Sequence, residues 1–269
     1  MRRIEVERPI RRERLAVFMR ELSGGFTICP AAEILKHEID AALWRLFPDQ
    51  IDPRNITPLK LLGKGLAHAS GRADFSLKLT PELRKQLPLK YQQAIDEMFQ
   101  ISMLSGVAPF GVAPRWDSSG PESTFMKHLH MLHDKLRIVR AEERESALYA
   151  MAMLSILGDI NAALDRHRVS KQLFDPLGEK GLRSFIDDLP SIRVEMHLSR
   201  EWIKNTSLQA KRTELNDWAQ TAPMAMYSDV VVAEKLLADL LNRSGLGLKA
   251  RVITDVTDLP RVLVAGSVA

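Results

Sequence analysis

Three acid-bearing segments stand far apart in this chain: residues 30–38, ending in Glu38; the pair Asn216-Asp217; and residues 227–235, which hold Asp229 and Glu234. The last reads as a short buried strand over 230–232 with a carboxylate at either tip, an arrangement that aims acids at one point. If the helix bearing Glu38 lies beside that strand, the acids form a cluster of hard oxygen donors suited to Mg2+ or Mn2+. A cation held that way polarises phosphate oxygens and lowers the pKa of a bound water, which is the chemistry of phosphodiester hydrolysis.

Basic residues near these acids would hold the substrate strand. Lys235 adjoins Glu234, and Arg193, Arg200, Lys204, Lys211 and Arg212 precede Asp217, giving candidate phosphate contacts whose binding would be salt-sensitive. Trp202 and Trp218 offer faces for unpaired bases, although tryptophans more often fill a core. Each acid also has a structural reading. Glu38 suits a salt bridge at the margin of an apolar stripe, Asp217 a local backbone hydrogen bond, and Asp229 and Glu234 the start of the next helix, where negative charge is favourable. A rival cluster, His128, His130, His133 and Asp134, has helical spacing for a zinc or iron pair but lacks the glutamate of a zinc-protease helix.

The elements that must position these residues can be read from breakers and periodicity. Residues 11–22 form a helix closed by Gly24 and Gly25, and 26–29 a short strand ended by Pro30. Pro30 opens a helix over 31–46 with Ile34, Leu35, Ile39, Ala42, Leu43 and Leu46 as its apolar stripe and Glu38 at the edge. Residues 48–120 are proline-rich, and the stretch with Gly63 and Gly65 lets a loop pass close to the domain core; the pair lacks the rest of a phosphate-loop signature. A helix is expected over 81–104, then long helices over 122–139 and 141–167 and a short one over 182–189 with Ser184 and Asp187 as an N-cap pair. Residues 190–198 alternate polar and apolar, as a half-exposed strand or the start of a basic helix would. The tail alternates helix and strand: 208–225, 230–232, 234–241, 251–254 and a closing helix from 258, which predicts parallel pairing with sites at the carboxyl ends of the strands.

Composition limits the function classes. With 269 residues, 45% of them hydrophobic, the chain can bury a sizeable core. Its formal net charge of +4 and sequence pI of about 9.2 permit nucleic-acid binding without demanding it. The single cysteine, Cys29, excludes an internal disulfide and a multi-cysteine zinc site and suits a reducing cytoplasm. The arginine-rich start is not a signal peptide, and no uninterrupted apolar run of about 20 residues is present, so no membrane partner is expected.

Residues 26–38, the helix segment Leu215-Asn216-Asp217-Trp218 and residues 227–235 together resemble PIN-like endoribonucleases. The resemblance implies an α/β fold, a small parallel sheet flanked by helices, built from 1–47 and 190–269, with 48–189 as a mostly helical insertion. It implies Glu38, Asp217, Glu234 and Asp229 as catalytic acids, the first three holding Mg2+ or Mn2+, with Lys235, Arg212 and Lys211 on the substrate. Single-stranded RNA is the implied partner, in a cytoplasmic toxin or phage-defence setting, with a homo-oligomer or an inhibitory protein as open alternatives. Glu234 stands where that family usually has aspartate, and no strand with an aspartate precedes the first helix. Either an upstream segment supplies it or the cluster has one acid fewer. The alternative is an inactive PIN-like or other α/β protein acting as a nucleic-acid- or protein-binding module.

Overall fold

The computed structural model describes residues 2–64, 68–69, 81–91, 94–95, 97–98, 101, 135–204 and 212–266, with the backbone alone described over 2–10, 81, 83–84, 212–219 and 265–266. The fold is mixed α/β and mostly helical, with two small two-stranded sheets among the described residues. The chain divides into two compact units, Met1–Glu33 with Lys60–Gly120, and Ile34–Leu59 with Pro121–Ala269.

In the first unit, α1 (Arg2–Ser23) starts earlier than the expected 11–22 and ends where expected. Gly24 and Gly25 take φ of 59° and 75°, a left-handed turn that lets their N–H groups bond the carbonyls of Glu21 and Arg20. The chain leaves that turn into β1 (Phe26–Ile28), which pairs antiparallel with β2 (Leu62–Lys64) in the register Phe26 to Lys64 and Ile28 to Leu62. Gly63 is there because of close approach: a Cβ would come within 2.5 Å of the His68 ring, whose Nε2 lies 3.1 Å from the Leu61 carbonyl. Of the helix expected over 81–104, α3 (Pro81–Gln86) is one described part.

The second unit holds nearly all of α2 (Ala31–Leu46) and then α4 (Ala141–His167), α5 (Gly178–Asp187), α6 (Pro190–Lys204), α7 (Arg212–Tyr227), β3 (Val230–Val232), α8 (Lys235–Asn242), β4 (Arg251–Ile253) and α9 (Leu259–Gly266). β3 and β4 pair in parallel, Val230 to Arg251 and Val232 to Ile253, joined through α8 as the alternation of elements requires. One core gathers Ile39, Leu43, Ile156, Ile160, Leu164, Phe185 and Ile186, so α4 and α5 share their interior with α2. A second gathers Val194, Leu198, Trp202, Ala222, Leu237, Leu241 and Val252 around α6, α7, α8 and β4.

Of the two readings open for 190–198, the structure has the helix start and not the strand, and α6 belongs to both cores. Ile192, Met196 and Ile203 enter the first core, while Val194, Leu198 and Trp202 enter the second. In a helix, residues two apart point to nearly opposite sides, so burial on two faces yields the alternation that imitates a strand. A correction concerns α5. It begins at Gly178, leaving Ser184 inside the helix, and Asp187 accepts a 2.7 Å hydrogen bond from the Tyr149 hydroxyl instead of completing a cap.

Helix α4 is long and apolar enough to cross a membrane by length and hydropathy, with a mean hydropathy of 1.5 over its best window. Its stripe Leu148, Ala152, Ile156, Ile160, Ala163 and Leu164 is buried against other helices, while Leu154 and Leu157 are exposed. His128, His130, His133 and Asp134, the rival cluster, lie outside the described residues, as does Lys211.

Candidate functional site

The apolar stripe of α2 carries Ile34, Ile39, Ala42 and Leu43 into the interior, and Glu38 goes with them, only 2% exposed. What makes that burial tolerable is the start of α6. Pro190 occupies the first helical position, where its missing N–H costs nothing, and Ser191 follows with an N–H that no helical carbonyl can reach. That N–H donates to both Glu38 oxygens at 3.1 Å, and the Ser191 hydroxyl donates to Oε1 at 2.7 Å. A carboxylate at a helix start is also favoured by the helix dipole. Burial pushes the Glu38 carboxyl above its ordinary value, and hydrogen bonds from Ser191 and Tyr227 pull part of the way back.

One helical turn beyond Ser191, Glu195 brings a second acid to the same place. Loss of solvent, reinforced by the negative charge of Glu38, raises its carboxyl to about 7. Tyr227, at the end of α7, is the third titratable neighbour; burial and then the charge of Glu38 hold its phenol well above the ordinary range. Arg45 lies near enough to act on Tyr227 but gives its guanidinium to Asp188, 2.7 Å from Nε to Oδ2. The arrangement is thus a proton-holding acid beside an anchored carboxylate. Such an acid can give or take a proton near neutral pH, and a bound cation would displace that proton.

The other sequence candidates fall in different places. Asp229 precedes β3, is exposed, and pairs with Lys249 at 3.1 Å, an interaction of small energetic weight in solvent. Glu234 follows β3 as the residue before α8; it is exposed and its side chain makes no capping hydrogen bond, so its carboxylate is not taken up by the capping role considered for it. Lys235, next to it, is exposed too. Asp217, Arg212 and Trp218 lie on α7, which runs beside α6, but their side chains are outside the described set. Of the upstream basic residues, Arg200 is bound to Glu145 and Lys204 to Glu201, and the Arg193 guanidinium reaches the Leu246 carbonyl. Trp202 is core, with the Arg137 guanidinium 5.5 Å from its ring centroid.

Among the described residues no group of three His, Cys, Asp or Glu side chains stands ready to hold a metal. The carboxylates are the right kind of donor for Mg2+ or Mn2+, but the Glu38 oxygens are already engaged by Ser191. The residue sequence reasoning missed is Glu195. Its signal was the Pro190-Ser191 pair, a helix opening that places Ser191 and Glu195 four residues apart on one face. No protein-family model, curated protein or solved structure matches this chain.

Proposed function

We propose that the chain is a metal-dependent endoribonuclease of PIN-like type that cleaves single-stranded RNA, with Glu195, Asp217 and Glu234 as the acids that would hold Mg2+ or Mn2+. The observation that carries this reading is the approach of Glu195 to Glu38: burial, reinforced by the like charge of Glu38, raises the Glu195 carboxyl to about 7. A site that disfavours the bare carboxylate gains from a cation. Glu234, uncommitted at the carboxyl end of a parallel strand, stands where such folds collect their functional groups. Glu38 is in this reading a positioning residue: it fixes the start of α6, and through it the aim of Glu195. A divalent ion would supply a water of lowered pKa and charge for a phosphate oxygen. Lys235, Arg212 and Lys211 would bind the backbone of the strand.

The second reading is a binding module without catalysis. It is favoured by the lack, among the described residues, of a ready three-donor group. Labelled single-stranded RNA incubated with Mn2+ separates the two, comparing the chain with Asp217→Asn, Glu195→Gln and Glu234→Gln. Manganese-dependent cutting that falls at least about a hundredfold in each variant is the expected result. Equal cutting by all four proteins, or RNA retained without cutting, overturns the nuclease reading.

A further inference from the structure

The exposed side of α1 carries an apolar stripe, Leu15, Phe18, Met19 and Leu22, at the i, i+3, i+4, i+7 spacing of one helix face. Their exposures are 56, 58, 47 and 76%, while Ala16, on the face adjoining Met19, is 1% exposed. So α1 already packs through one face and leaves a second apolar face to solvent. Scattered exposed leucines need no explanation, but four large side chains in register on one helix do.

The charges beside the stripe indicate what covers it. Arg14 immediately precedes Leu15 and Glu21 immediately precedes Leu22, so the two lie on one flank of the stripe, seven residues apart, and both are exposed. When two identical helices pair in antiparallel fashion about a point near Phe18, the same flank of each helix meets the same flank of the other. Arg14 of one copy then faces Glu21 of the second, and two-fold symmetry repeats the contact. In a parallel pair that flank of each helix would meet the opposite flank of the other, so Arg14 and Glu21 would not face each other. We propose that α1 is a homodimerisation helix, pairing antiparallel with α1 of a second copy through Leu15, Phe18, Met19 and Leu22 and locked in register by reciprocal Arg14 to Glu21 ion pairs.

The test is sedimentation equilibrium of the full chain over a micromolar concentration series, with circular dichroism to verify that each variant keeps its helix content. The unaltered chain is expected to dimerise. Phe18→Glu should raise the dissociation constant about a hundredfold. Arg14→Glu and Glu21→Arg should each raise it about tenfold, because like charges then meet twice. The combined Arg14→Glu, Glu21→Arg protein should return to within about threefold of the starting value. That rescue depends on the two residues facing each other across copies. A chain that stays monomeric throughout, a dimer untouched by Phe18→Glu, or a double exchange as weak as the single ones overturns the proposal. Sedimentation of a monomer with phosphatidylserine vesicles would also overturn it, assigning the stripe to a lipid surface.

Discussion

Glu38 and Ser191 are 153 residues apart in sequence and joined by three short hydrogen-bond contacts, the Ser191 N–H lying 3.1 Å from each carboxylate oxygen and its hydroxyl 2.7 Å from one of them. The pairing ties the middle of α2 to the first turn of α6. Glu38→Ala leaves a buried N–H and hydroxyl without an acceptor and opens a cavity, so it should destabilise the protein by about 2 kcal/mol or more. Glu38→Gln keeps one acceptor oxygen and should cost about half as much. Urea denaturation of the two variants checks the order; equal losses would show that the charge and not the acceptor matters.

Glu195 predicts how stability responds to pH. Its carboxyl is raised in the fold from an ordinary 4.5 to about 7, and that of Glu38 is raised as well. Between those values these two groups hold more protons in the folded chain than in the unfolded one, so their contribution to stability is greatest at low pH and falls as pH rises toward 7. The full loss for Glu195 is on the order of 3 kcal/mol. Glu195→Gln should flatten this part of the curve and raise the midpoint of thermal unfolding at pH 8. A variant whose curve stays parallel to that of the unaltered chain from pH 4.5 to 8 would show that Glu195 is not the titrating group.

How much of this was legible in the sequence depended on whether an element was judged by its ends or by its faces. The bounds of α2 and α4 follow from Pro30 and from helical periodicity, and the structure has them as read, Ala31–Leu46 and Ala141–His167. Alternation in the tail correctly implied that β3 and β4 pair in parallel. For α6 the alternation leaves strand and helix start both open, because this helix buries two faces: Ile192 and Met196 enter one core, Val194 and Leu198 the other. With that choice open, the placement of Glu195 on the face of Ser191 does not follow from the pattern. Glu38 was singled out as an acid at the edge of a stripe; that it is deeply buried follows from a donor on a distant helix, which local pattern does not reveal.

A second buried acid on α2 serves as a control. Asp40 is 5% exposed and accepts from Arg166 Nη2 at 2.8 Å, with His167 Nε2 at 3.1 Å from the same oxygen. Removing one member of such a pair strands the others, so Asp40→Ala should cost about 3 kcal/mol in urea denaturation. Because it joins α2 to the end of α4, away from Ser191, RNA cleavage per folded molecule should be unchanged. A loss of cleavage at full folding would place Asp40 in the functional site.

Divalent cations should act on stability in the direction opposite to hydroxide. A cation that takes up the Glu195 carboxylate competes with its proton, so it binds more tightly as pH rises through about 7. At a hundredfold excess over its dissociation constant, such binding stabilises by about 2.7 kcal/mol, which for a chain of this size is a rise of several degrees in the midpoint of thermal unfolding. Mn2+ should therefore raise that midpoint at pH 8, have little effect at pH 5.5, and lose its effect in Glu195→Gln while the folded baseline is retained. Calcium in place of manganese distinguishes binding from hydrolysis, because it offers the same hard charge with longer bonds. An identical shift at both pH values, or one that survives Glu195→Gln, would place the cation elsewhere and remove Glu195 from the proposed site.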